Sequence, residues 1–163
     1  VSWNTADGFG TALNAFIGQN YGAGKMDRVK KGYRASLITV GVWGLFITLL
    51  FVCFPEQISG VFFHEPTAIA TAVGYMIIIG YSEAFMSVEL MTVGALSGLG
   101  KTHLCSVISI TLTSARIPLA IFLSGTALGL LGIWWALTAT SVVKGIVFVM
   151  AFYWITARMR NSK

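Results

Sequence analysis

The sequence predicts an all-α fold, a polytopic integral membrane bundle of about five transmembrane helices. Three observations predict it. Hydrophobic residues make up 56% of the 163 positions before the 18 glycines are counted, and charged residues only 10%. Soluble domains hold about 45–50% apolar residues with glycine included and about 25% charged ones, and disorder needs the opposite imbalance. Apolar stretches of about 20 residues, enough to cross a hydrocarbon core, recur five times. Finally, Lys and Arg gather in alternate connectors between those stretches.

Segment one, about 2–20, is the least apolar. Asn4, Asp7, Thr11 and Asn14 recur at helical spacing and so share one face. A membrane helix with such a stripe turns it toward protein or water; a surface amphipathic helix is the other reading. Gly18, Gly22 and Gly24 end it, and 24–34 reads as a basic connector. Segment two, about 33–54, is uninterrupted until Pro55. The connector from Pro55 to Pro66 carries Glu56, His64 and Glu65 but no Lys or Arg. Segment three, about 67–98, is ~50 Å long if helical, longer than a hydrocarbon core of about 30 Å, so it tilts or projects. Gly98-Leu99-Gly100-Lys101 breaks it. Segment four is about 103–123, with Pro118 placed to kink it. Segment five is about 133–157, and a basic tail follows.

Alternating spans put 24–34, 99–102 and the tail on one side. That side holds Lys25, Arg28, Lys30, Lys31, Arg34, Lys101, Arg158, Arg160 and Lys163, and the opposite connectors hold no cation. Basic residues mark the cytoplasmic side, so the C-terminus is expected in the cytoplasm, in a bacterial-type inner (plasma) membrane. The chain opens Val-Ser-Trp-Asn, with neither an initiator Met nor a basic leader, which reads as an internal start. No base-stacking platform interleaves with the basic residues, which argues against nucleic acid. Cys53 and Cys105 are isolated near opposite ends of spans, so neither a disulfide nor structural zinc is expected. Gly100-Lys101-Thr102 lacks the first glycine of a phosphate-binding loop, position 95 being Ala. Two lone histidines on opposite sides, His64 and His103, assemble no hydrolytic triad, and no enzyme is expected.

Four ionisable residues fall inside spans: Glu83, Glu89, Arg116 and Lys144. Each costs roughly 2.5–3.5 kcal/mol at a helix centre on insertion scales. Lys144 is too far from either end of its segment to snorkel easily. Two acids and two bases at similar depth point to compensation. They either pair to hold helices together or border a wet cavity in which a carboxylate cycles with a cation. Glu83 and Glu89 stand about 120° apart on a helical wheel, so they border one broad cavity without stacking. Ser106, Ser109, Thr113 and Arg116 form a second polar face, suited to interhelical hydrogen bonding or to a broken transporter helix beside Pro118.

Four motifs in order resemble the multidrug and toxic compound extrusion (MATE) family. Gly18-Gln19-Asn20-Tyr21-Gly22-Ala23-Gly24 before a basic run resembles the inner end of one of its even-numbered helices. Gly94-Ala95-Leu96-Ser97-Gly98-Leu99-Gly100-Lys101-Thr102 resembles the small-residue motif closing its tenth helix. Arg116-Ile117-Pro118-Leu119-Ala120 resembles the Arg-x-Pro of its eleventh, and Gly129-x-x-Gly132-Ile133-Trp134 the start of its twelfth. Together they cover nearly the whole chain.

The resemblance implies twelve helices in two lobes, with this chain forming helices eight to twelve of the C-terminal lobe and the N-terminal lobe as its missing partner. It implies export of small organic, often cationic, substrates in exchange for Na⁺ or H⁺, with no other cofactor. Many members carry an Asp one turn before the position of Glu89; here that position is Met86. Glu89 is then the main candidate for ion or proton coupling, with transient Na⁺ there, and Glu83 the second. Asp7, Asn14, Arg116 and Lys144 are expected to line a cavity formed by segments one, three and four, the two cations setting the local charge. Two alternatives stand beside this: a lipid-linked oligosaccharide flippase of the same superfamily, and a non-transporting membrane assembly module in which all four charges are paired.

Overall fold

A computed structural model describes residues 2–126 and 128–161, the side chains of Ser2, Arg160 and Asn161 excepted. Lys163 and the Arg160 side chain, two members of the basic tail, lie outside the described residues. Those described form six helices and no strand: α1 Ser2–Gly22, α2 Met26–Cys53, α3 Pro55–Phe62, α4 Pro66–Gly98, α5 Thr102–Ser124 and α6 Leu130–Asn161. Among them α2, α4, α5 and α6 are long and apolar enough to cross a membrane. α1 has the length, at 21 residues, but its polar stripe lowers its apolarity below theirs.

Three boundaries differ from the expected ones, one being α6, which begins at Leu130 rather than 133 and takes in the basic tail as far as Asn161. The run 24–34 is not a connector: α2 begins at Met26 and carries Arg28, Lys30, Lys31 and Arg34 in its first turns. Lys and Arg are good helix formers, and their long stems let the charges reach water from a helical backbone. The connector after Pro55 contains α3, with Pro55 at its start and Glu56 in its first turn. Proline fits the first helical position because the N–H it lacks would be unsatisfied there anyway. α5 continues through Pro118, at the cost of one backbone hydrogen bond.

The two glycine-rich turns at the basic end are the same device. Gly24 and Gly100 have φ of 72° and 73°, a left-handed conformation that glycine adopts at little cost. Lys25 N–H donates to the Asn20 carbonyl at 2.8 Å and Lys101 N–H to the Leu96 carbonyl at 2.9 Å. Gly24 N–H and Gly100 N–H donate three residues back, to Tyr21 and Ser97, each at 2.9 Å. These are paired Schellman caps, which turn α1 into α2 and α4 into α5.

α4 is the central helix. It packs on α1, α2, α3 and α6, while α5 packs mainly on α6. Each of its three long neighbours approaches it through a glycine: Gly10 of α1 lies on the Leu90 carbonyl, Gly44 of α2 on Ala84, and Gly145 of α6 on the Phe85 carbonyl. Gly94 of α4 in turn lies so close to Gly10 that a Cβ would overlap its carbonyl, and a Cβ on Gly98 would meet the Asn14 carbonyl oxygen at 2.6 Å. The small-residue motif at the end of α4 is thus a helix-crossing seam of the Gly-x-x-x-Gly kind.

The apolar core gathers toward one end of the bundle. Leu13 and Ile17 of α1, Val29 and Tyr33 of α2, Met91, Ala95 and Leu96 of α4, Cys105 of α5, and Phe148, Phe152 and Ile155 of α6 form one cluster. All come from the halves of their helices nearest the basic turns. Tyr33 stacks on Phe152 with ring centroids 3.6 Å apart, and its hydroxyl lies 3.0 Å from Thr92 Oγ1.

Candidate functional site

Beyond that core, toward the middle of the bundle, lies a layer of polar side chains between α4, α5 and α6. Lys144 Nζ of α6 stands 2.7 Å from Glu89 Oε1 of α4, the two side chains 11% and 13% exposed. The same ammonium donates to Thr113 Oγ1 of α5 at 3.4 Å. One residue therefore ties three helices together. The local packing explains how it reaches them. Gly145, beside Lys144, brings α6 against the Phe85 carbonyl of α4. Phe85 and Glu89 are four residues apart, one helical turn, so that close approach delivers Lys144 to the carboxylate.

Arg116 of α5 sits one turn from Thr113 and also reaches α6. Its Nε donates to Thr140 Oγ1 at 2.8 Å and its Nη2 to Ser141 Oγ at 3.1 Å. Thr140 passes its own hydroxyl hydrogen back to the Ala136 carbonyl at 2.7 Å. Arg116 thus meets hydroxyls rather than a carboxylate. Thr140, Ser141 and Lys144 occupy one face of α6 at spacings of three and four, the feature of that segment which sequence reading passed over.

Glu83 is buried in α4, 9% exposed. It lies seven residues before Leu90, two helical turns, and so on the side of α4 that meets α1. Met86, at the position where an Asp was expected by resemblance, accepts a weak hydrogen bond from Ser82 Oγ, 3.8 Å from its sulfur. Asp7 and Asn14 lie on an exposed flank of α1, next to the buried line of Ala6, Gly10, Leu13 and Ile17. The expected cavity of segments one, three and four is therefore not what the polar cluster forms. Glu89, Thr113, Arg116 and Lys144 come together from segments three, four and five, because α5 leans on α6 rather than on α1. Glu83, Asp7 and Asn14 stay on the α1 side.

The charges of this layer depend on one another. Buried ion pairs are held by partnership, and taking one member away leaves the other uncompensated in a poor solvent for charge. Thr113 offers the ammonium a second acceptor. The described residues contain no cluster of three or more His, Cys, Asp or Glu able to hold a metal ion.

Known proteins place the chain. A family model described as MatE matches residues 5–122. The chain is similar to a protein named probable multidrug resistance protein NorM from Pseudomonas aeruginosa, 30% identical over 98% of this chain and 34% of that protein. A protein of the same name from Thermotoga maritima is 26% identical over 93% of this chain and 33% of its own length. Multidrug and toxin extrusion protein 1 of Danio rerio is 21% identical over 90% of this chain and 25% of its own. The chain spans about a quarter to a third of the length of the curated relatives it matches.

Proposed function

This chain belongs to the MatE family, and on that premise we propose that the protein it forms part of is a secondary active multidrug exporter. It exchanges organic, often cationic, compounds for Na⁺ or H⁺. The five long helices make up much of a C-terminal lobe, and an N-terminal lobe completes the transport path. The protein resides in the inner (plasma) membrane with its C-terminus in the cytoplasm, a reading supported by the placement of Lys25 to Arg34, Lys101 and Arg158 at one end of the helices.

The observation that carries the proposal is the Lys144–Glu89 pair within the apolar stretches of α6 and α4. A carboxylate there is the element a coupling step needs, and a tethered ammonium makes its occupancy conditional. When H⁺ or Na⁺ takes Glu89, Lys144 loses its counter-charge, and the site gains one positive charge and repels a cationic substrate more strongly. When the ion leaves, the pair closes again. Glu83 is the second coupling candidate, and Asp7 and Asn14 offer polar groups on the exposed flank of α1 to the remainder of the protein. The flippase alternative needs cations held ready for a pyrophosphate, whereas Arg116 is engaged by Thr140 and Ser141, and Lys144 by Glu89.

The test is Glu89→Gln in the full-length protein, with cell-surface expression and dye efflux measured side by side. Efflux abolished per molecule reaching the membrane is the expected result, in Glu89→Gln and equally in Glu89→Gln with Lys144→Met, which leaves neither charge unpaired. Unchanged efflux overturns the assignment of Glu89.

A further inference from the structure

We infer that the basic end of the α5–α6 pair holds an anionic phospholipid, headgroup and acyl chain in two adjoining cavities. The first cavity has a volume of about 390 Å³ and is lined by Lys101, Leu104, Trp154, Ile155, Arg158 and Met159. The second, about 310 Å³, is lined by Val147, Met150, Ala151 and Trp154. Trp154 lines both, so the two adjoin along α6.

Their chemistry is graded as a phospholipid is graded. The first cavity carries two cations at its mouth. Among the described residues neither Lys101 nor Arg158 is in a salt bridge. The Arg158 guanidinium lies over the Trp154 ring, 5.4 Å from its centroid. The ring holds the guanidinium without an anionic partner, so its N–H donors can meet an oxyanion. Leu104, Ile155 and Met159 give the floor an apolar surface for a glycerol backbone. The second cavity is wholly apolar. From Arg158 to Val147 the helix descends eleven residues, about 16 Å, a run into the hydrocarbon suited to an acyl chain.

Position agrees with chemistry. Tryptophan favours the depth of the headgroups, and basic pockets between membrane helices select anionic ones. At the opposite end, a cavity of about 690 Å³ between Phe63, Thr67, Tyr75, Met76 and Trp134 has no charged residue in its lining, and one of about 610 Å³ beside Pro66 has only the acidic Glu56. The selectivity for negative charge therefore belongs to one end of the bundle. An acidic peptide would satisfy Lys101 and Arg158 but has no use for the apolar groove beneath them, which is why a lipid is the better occupant.

The test uses the full-length protein in detergent, native mass spectrometry, and added phosphatidylglycerol or phosphatidylcholine of the same acyl chains. One phosphatidylglycerol retained in preference to phosphatidylcholine is the expected result. Lys101→Gln with Arg158→Gln should weaken that retention roughly thirtyfold. Met150→Trp, which fills the apolar groove at an exposed position and leaves both cations, should weaken it as well. Lys25→Gln with Arg28→Gln removes the same charge from the same end and should leave it unchanged. Equal retention of the two lipids, insensitivity to either cavity variant, or an equal loss from the Lys25/Arg28 variant overturns the site.

Discussion

Lys144 and Glu89 meet at 2.7 Å across the seam between α6 and α4, with Thr113 of α5 as the third contact of the ammonium. Each charge lies within an apolar helix and each neutralises the other. Their separate costs in a bilayer are therefore offset only while the two helices stay in register.

That dependence predicts the behaviour of single and double variants. Lys144→Met leaves Glu89 uncompensated and is expected to lower stability by about 3–5 kcal/mol. Glu89→Gln combined with Lys144→Met removes both charges and should recover most of the loss. Thermal unfolding of the full-length protein in detergent measures both. A double variant as unstable as the single one would show that the pair is not what holds α4 to α6.

The glycine crossing makes a second prediction. A Cβ on Gly94 overlaps the Gly10 carbonyl, whereas one on Gly8 meets nothing within 4 Å. Gly94→Ala is expected to cost about 1–3 kcal/mol through forced separation of α1 and α4. Gly8→Ala should be neutral or stabilise by about 0.5–1 kcal/mol, since alanine is the better helix former. The same unfolding measurement compares them.

Tyr33 and Thr92 supply a third. Thr92 Oγ1 donates to the Val88 carbonyl at 2.7 Å, so in the 3.0 Å contact with Tyr33 the phenol is the donor. Thr92→Val leaves that buried donor without its acceptor, at a cost of about 1–3 kcal/mol. Adding Tyr33→Phe should make the pair of substitutions cheaper than Thr92→Val alone. A double variant that is costlier would mean that the hydroxyl pairs elsewhere.

Topology is the fourth. Nine of the eleven Lys and Arg flank alternate ends of the predicted spans, which orients the chain by the bias toward cytoplasmic cations. A reporter fused after the last residue of the full-length protein should be active only in its cytoplasmic form. Activity of a periplasm-dependent reporter at that position would invert the arrangement.

Helices were legible in the sequence wherever length and apolarity agreed. Segments three and four match α4 and α5 to within one residue at each end, because Pro66, the Gly98–Gly100 turn and Ser124-Gly125 are strong punctuation. The start of α2 was hidden because a run of charges reads as a connector, although Lys and Arg are good helix formers whose long stems carry the charge to water. α3 was hidden because eight residues between two prolines give too short a pattern to carry periodicity. The candidate site was half legible. Compensation among buried charges follows from their cost, but which acid meets which base depends on how α4 and α6 are rotated against each other. That rotation is set by Gly145 against Phe85, a contact between distant positions that one sequence does not display. Arg116 with Thr140 and Ser141 was missed for the same reason, although the Thr140-Ser141-Val142-Val143-Lys144 pattern already marked that face of α6 as polar.

The meeting of Gly10 with Gly94 has a mechanical corollary. Where two backbones touch with no side chain between them, no rotamer change can absorb a sliding motion, and packed interiors transmit strain rather than dissolve it. α1 and α4 therefore travel as a single strut. Asp7 and Asn14 on α1 thus keep a nearly fixed separation from Glu83 and Glu89 on α4.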